Sequence, residues 1–243
     1  MKVLSIGNSF STDATRYLHG IAAADSFDLE TVNLFIPSCT LDRHYRNMLS
    51  GERAYSLEYN GQTTGFFVSM EEALLSREWD VITLQQQSAR SADWETFEPY
   101  ITALCDYVKE CAPKAKIFLH QTWPLEDGSQ RLANAGYESS AAMFANIEQN
   151  YAKCREMLET DGLIPSGRAL MALLALGVEK VHRDSLHTTK GLGRYTLGLL
   201  WYRMLTGRTV ADNAFCSFDE PVSEEEIRVA KNYVDSVSVP CVK

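Results

Sequence analysis

At 243 residues, 45% of them hydrophobic and 23% charged, the chain is long enough to bury a substantial core without disulfide or metal staples. A formal net charge of −9 argues against a general nucleic-acid binder, which needs a basic face to neutralise phosphates. No apolar run reaches the ~20 residues of a membrane span, so neither nucleic acid nor membrane is expected as a partner.

The elements follow in chain order. Val3–Ile6 is short, apolar and followed by Gly7, the pattern of a buried parallel strand. Ser11 or Thr12 can cap a helix running to about Ala24, with Asp13 in its first turn. Leu29–Phe35 is a second strand and Leu41–Leu49 a helix. Tyr55–Tyr59, the turn Asn60-Gly61 and Gln62–Phe67 form a hairpin with a type I′ turn, an excursion from the main sheet. Ser69–Arg77 is a short helix, Asp80–Leu84 a third core strand and Trp94–Cys111 an amphipathic helix. Lys116–His120 is a fourth strand, followed by a polar loop from Thr122 to about Ala135 and a helix over Glu138–Thr160. Leu163-Ile164 is a short fifth strand, and Pro165 opens a helix to about Leu176. Val178–Thr188 is irregular, Thr189–Leu205 an apolar helix, and SEEE at Ser223 starts a helix to Val237.

Strands alternating with helices predict βαβ units and a mostly parallel sheet of about five strands in one three-layer α/β/α domain spanning 1–243. Six cysteines at 39, 105, 111, 154, 216 and 241 show no CxxC pair, so reduced, mostly buried thiols are expected. Lys2 leads directly into a strand, without the apolar region of a leader peptide; with Met1 as the native start, a cytoplasmic protein is expected.

In such sheets, sites form at the carboxyl ends of the strands. Those ends carry Gly7-Asn8-Ser9, Pro37-Ser38-Cys39-Thr40, Gln85-Gln86-Gln87-Ser88 and Gln121-Thr122-Trp123, and a late loop adds His182, Asp184 and His187. Ser9 reads either as a helix-start residue or as a nucleophile. Ser11 and Thr12 are available for capping, which leaves its hydroxyl free at the rim. A serine needs a base to take its proton, and a histidine needs a carboxylate to fix its tautomer. Asp184-Ser185-Leu186-His187 supplies both on one turn, just before an apolar helix expected to hold His187 near its start. Gln85 and Gln87 point the same way along the strand, and a side-chain amide there can donate to an oxyanion. His182, Asp184 and His187 are also metal-ligand types, but no second cluster accompanies them, so no metal and no other cofactor is expected. Cys39 with His44 five residues on offers a second nucleophile–base pairing, without an evident orienting acid.

The order GNS, LQQQS, DSLH resembles the SGNH superfamily of hydrolases, the GDSL-like lipases and esterases. The resemblance implies a flavodoxin-like α/β/α fold, with Ser9 as nucleophile, His187 as base and Asp184 as its orienting acid. Asn8 stands where the family usually has Asp. The resemblance further implies oxyanion donors at the Ser9 backbone N–H, at the Ser38 backbone N–H in a slot usually held by glycine, and at the Gln87 side chain in a slot usually held by Asn. It implies hydrolysis of a small, acetyl-type ester. Aromatic and polar residues beyond the strand ends, His44 and Trp123 among them, suit a carbohydrate substrate. The alternative is a non-catalytic carbohydrate- or ester-binding module on the same fold.

Overall fold

The computed structural model describes residues 1–239; Cys241, one of the six expected thiols, lies outside them. Seven strands form one sheet in the order β4-β3-β2-β1-β5-β6-β7. Five run parallel: β1 (Lys2–Gly7), β2 (Glu30–Phe35), β5 (Val81–Leu84), β6 (Lys116–His120) and β7 (Gly162–Ile164). The hairpin strands β3 (Tyr55–Tyr59) and β4 (Gln62–Val68) join as antiparallel neighbours.

Side-chain alternation along the strands divides the apolar residues between two layers. Leu4 and Ile6 of β1, Ile82 and Leu84 of β5, and Ile117 and Leu119 of β6 face one core. That core is covered by α3 (Leu41–Ser50), α4 (Met70–Leu75), α5 (Tyr100–Cys111) and α7 (Ser140–Leu158). Val3, Val81 and Phe118 face the other. There α1 (Ser9–Thr15), α2 (Leu18–Ala24), α8 (Ser166–Ala175), α9 (Leu192–Thr206) and α10 (Glu224–Ser236) pack. A short α6 (Gln130–Asn134) interrupts the loop after β6. Among the described residues no helix is long and apolar enough to cross a membrane.

The architecture is the expected α/β/α arrangement, with three departures. The hairpin is no excursion: β3 pairs with β2 from Val32↔Tyr59 to Phe35↔Ser56, which makes the sheet seven strands wide rather than five. Its turn is type I′ as expected, with positive φ at Asn60 (48°) and Gly61 (75°). A Cβ on Gly61 would lie 2.4 Å from the Arg16 carbonyl, so the turn seats directly on the end of α1. Second, the predicted long first helix is two, divided at Arg16-Tyr17, where the Tyr17 hydroxyl donates to the Lys190 carbonyl and accepts from the Asp219 N–H. Third, the predicted Trp94–Cys111 helix becomes a 3₁₀ turn at Trp94–Thr96 and α5 from Tyr100, because Pro99 can only precede a helix here, not lie inside it. The capping boxes at Ser69/Glu72 and Ser223/Glu226 are both formed. All five cysteines among the described residues are free thiols; Cys39, Cys105 and Cys154 are buried, Cys111 is half-buried and Cys216 exposed.

Candidate active site

The carboxyl ends of β1, β2 and β5 open onto one small cavity of about 180 Å³, counting its mouth. It is bounded by Asn8, Ser9, Phe10, Ser38, Gln87, Ser88 and Leu186. Ser9 is the first residue of α1. The cap is neither Ser11 nor Thr12, as the sequence predicts, but Asn8, whose Oδ1 accepts from the Phe10 N–H at 3.0 Å. Ser11 and Thr12 turn inwards instead, to Asn33 and to Glu58. Ser9 therefore starts the helix with its hydroxyl uncommitted to the backbone. Gly7 has no room for a side chain: a Cβ would lie 2.4 Å from Ser11 Oγ and 2.7 Å from Gln85 Oε1.

The Ser9 hydroxyl lies 2.8 Å from His187 Nε2, across 178 residues of sequence. On the other side of the ring, His187 Nδ1 lies 2.8 Å from Asp184 Oδ2 and 3.1 Å from Oδ1. Asp184 Oδ1 also accepts the backbone N–H groups of Leu186 (3.3 Å) and His187 (2.8 Å). Burial opposes ionisation of Asp184 and is the largest single effect, but these hydrogen bonds and the neighbouring ring together hold its carboxyl down at about 2. The turn is closed by Ser185 at φ 62°, a left-handed conformation.

The loop is not held by the start of α9, which begins only at Leu192. A short antiparallel bridge, His182↔Thr188, pinches it, and the Arg183 N–H donates to the His187 carbonyl. The Trp123 indole N–H donates to the Leu186 carbonyl at 2.9 Å, and the Glu126 N–H to the Ser185 carbonyl at 3.0 Å. Arg183 reaches across to Asp13 on α1.

Ser38 and Gln87 both reach this cavity. Ser38 sits at φ 52°, the backbone conformation for which glycine is favoured, and its N–H donates to no acceptor among the described residues. Gln87 accepts the Arg90 N–H on its oxygen, which leaves the NH₂ end without a partner among the described residues.

Two expected substrate contacts are elsewhere. His44 is fully buried on the inner stripe of α3, with Nδ1 3.0 Å from the Tyr55 hydroxyl. Trp123 is fully buried too, stacked on Phe10 with ring centroids 3.8 Å apart. Neither can touch a sugar: one is core, the other the packed back wall of the site. The Cys39–His44 pairing fails for the same reason. Burial pushes the Cys39 thiol up to about 12 and His44 down to about 3, so no thiolate–imidazolium pair forms. His182 Nε2 lies 3.0 Å from the Pro124 carbonyl, and among the described residues no three His, Cys, Asp or Glu converge as metal ligands.

Sequence reasoning missed Phe10, Asp13 and Arg183. Phe10 follows the serine on the next helical position, and Asp13 reads as an ordinary first-turn acid. Arg183 lies inside the motif-bearing loop, where its charge is the only available signal.

No curated protein matches the chain by sequence. Among solved structures, a DUF4886 family protein from Bacteroides uniformis superposes with a TM-score of 0.89 at 28% identity, covering 97% of this chain and 93% of that one. A candidate SGNH hydrolase from Slackia heliotrinireducens gives 0.61 at 19% identity, covering 84% and 97%. A candidate GDSL-like lipase from Parabacteroides merdae gives 0.58 at 18%, covering 85% and 95%. The last two share the fold of this chain. Residues 2–236 match the family model described as a domain of unknown function, DUF4886, and the chain belongs to that family.

Proposed function

We propose that the protein is a serine hydrolase that cleaves a small acyl ester through an acyl-enzyme. The observation that carries this reading is the continuous array Ser9 Oγ, His187 Nε2, His187 Nδ1, Asp184 Oδ2, with both junctions at 2.8 Å. Asp184 ionised opposite Nδ1 keeps the proton there and leaves the Nε2 lone pair facing the serine. His187 takes the Ser9 proton as Oγ attacks the ester carbonyl, then gives it to the departing alcohol. In the second step His187 activates water, which attacks the acyl-enzyme and regenerates Ser9. The Ser9 and Ser38 N–H groups and the Gln87 NH₂ stabilise the oxyanion of each tetrahedral intermediate.

The size of the cavity favours a short acyl group. Its roughly 180 Å³ includes open space at the mouth, so the walls formed by Phe10, Ser38, Gln87, Ser88 and Leu186 enclose little room beside Ser9. SGNH-type and GDSL-like names among the structural neighbours agree with ester chemistry. With His44 and Trp123 buried, neither is placed to hold a carbohydrate on the alcohol side of the ester.

A panel of p-nitrophenyl acetate, butyrate and octanoate, run on wild type, Ser9→Ala and His187→Ala, tests it. Hydrolysis of acetate by wild type and its loss in both variants are expected, together with Ser9-dependent labelling by a fluorophosphonate. Equal rates in wild type and Ser9→Ala, or no labelling, would leave the rim as a binding surface only.

A further inference from the structure

Beneath the nucleophile runs a chain of buried side chains that the proposed chemistry does not itself use. His120 Nδ1 lies 2.9 Å from Gln85 Oε1, and Gln85 Nε2 donates to Asn8 Oδ1 at 2.9 Å. Asn8 Nδ2 donates to the Cys39 carbonyl at 3.0 Å. All three side chains are at most 2% exposed. Two backbone groups of fixed polarity set every proton in this chain. The Phe10 N–H can only donate, so the atom of Asn8 facing it must be the oxygen. The Cys39 carbonyl can only accept, so the atom facing it must be the NH₂. Gln85 must then present its own NH₂ to the Asn8 oxygen and its oxygen to His120, which fixes His120 as the Nδ1–H tautomer. Its Nε2 is left buried without a partner among the described residues. Burial drives the His120 pKa down to about 3, consistent with a neutral ring.

We infer that Asn8 is a positioning residue: its amide ties the Ser38-Cys39 turn to the start of α1, and Gln85 and His120 hold that amide in the donating sense. This rests on the reading of Ser9 as nucleophile and of the Ser38 N–H as an oxyanion donor. Ser38 occupies a left-handed conformation in an exposed segment, and the Asn8–Cys39 bond is the side-chain tie beside it. A carboxylate at position 8 still accepts from Phe10 and Gln85 but cannot donate to Cys39. Two oxygens would then face each other about 3 Å apart, and the turn would move away.

Asn8→Asp tests this because protonation restores the donor. Its carboxylic acid form has nearly the shape of the amide and one O–H for the Cys39 carbonyl. At neutral pH the variant should hydrolyse p-nitrophenyl acetate with kcat lowered about 10²-fold, the scale of one lost oxyanion donor, and KM little changed. As pH falls, the ratio of its kcat to that of wild type should rise. Wild type at each pH is the reference, because Glu58 lies in the same buried network through Asn33 and Ser11, and burial raises its pKa too. The other titratable neighbours stay neutral: His120 for the reason given, and Cys39 because burial pushes it up to about 12. A flat ratio near one at all pH values overturns the inference. If Asn8→Asp fails to fold, Gln85→Glu carries the test: its carboxylate opposes the Asn8 oxygen without touching the turn. A lowered kcat at unchanged KM, in a variant whose circular dichroism remains that of the folded protein, supports the inference, and a wild-type kcat overturns it. Failure of the functional reading is separate: wild type and Ser9→Ala are then equal, and the inference falls with it.

Discussion

Arg183 Nη1 lies 3.0 and 3.1 Å from the two carboxylate oxygens of Asp13, which is 170 residues earlier in the chain. Asp13 is 1% exposed and also receives Arg194 Nε at 2.8 Å. The same Arg183 nitrogen donates to the Thr188 carbonyl. The helix that begins with Ser9 and the loop that carries His187 are thereby fastened together by one carboxylate.

Asp13→Ala leaves the largely buried Arg183 guanidinium without its counter-ion and Arg194 with Asp219 alone. Breaking a buried pair in this way costs about 3–5 kcal/mol. Urea titration should show a loss of that size, with a smaller loss for Asp13→Asn, which keeps an acceptor. An unshifted midpoint in Asp13→Ala would show that the clamp is dispensable.

Gln87→Ala removes the side-chain amide proposed to donate to the oxyanion. A fall in kcat of about 10²–10³ is expected with an unchanged melting temperature, since Gln87 is half-buried and its one side-chain bond is to a neighbouring backbone N–H. Steady-state kinetics on p-nitrophenyl acetate beside a thermal melt separate the two quantities.

Asp184→Asn keeps the shape but presents an NH₂ to His187 Nδ1, which draws the ring proton to Nε2, where the base is needed. A loss in kcat of about 10³–10⁴ is expected. Because Asp184 titrates near 2, its carboxylate stays charged throughout the range about pH 4–9. An acid limb of the wild-type rate profile within that range therefore belongs to another group.

Leu186 borders the cavity beside Ser9 and Phe10. Trimming it to Ala should raise the butyrate-to-acetate ratio of kcat/KM by roughly 10-fold, the value of one or two methylenes in an apolar pocket. An unchanged ratio would move the acyl group to another wall.

His44 and His120 are held neutral by burial, with pKa values of about 3 against an ordinary 6.5. Between those values the unfolded chain binds more protons than the folded one, so stability falls as pH drops from about 6.5 towards 3. His44→Phe, which keeps a buried ring, should flatten the dependence of the urea midpoint on pH over that interval. An unaltered slope would mean that carboxylates alone govern acid unfolding.

Much of this was legible where a local rule had no competitor. Asn60-Gly61 can hardly be anything but a type I′ turn, and Ser69 and Ser223, each three residues before a Glu, cap as written. DSLH carries its own geometry in four residues. The rest depended on facing. His44 looks like a rim residue until Leu41, His44 and Asn47 are seen as one buried stripe at helical spacing. Trp123 follows a strand end, yet its ring turns inwards to stack on Phe10. The capping residue was misplaced because Asn8, Ser11 and Thr12 all qualify by type. What decided between them was tertiary: Asn33 and Glu58, both distant in sequence, claim the hydroxyls of Ser11 and Thr12. Sheet width was underestimated because nothing local tells a hairpin whether its first strand has a partner.

Ser9 and the base proposed for it, His187, are separated by 178 residues. A ribosome adding about 5–20 residues per second makes Ser9 roughly 10–35 s before His187. During that interval the nascent chain holds a hydroxyl with nothing to deprotonate it. The proposed activity can switch on only after the late loop has emerged and docked, so onset of hydrolysis during synthesis would time the closing step of folding.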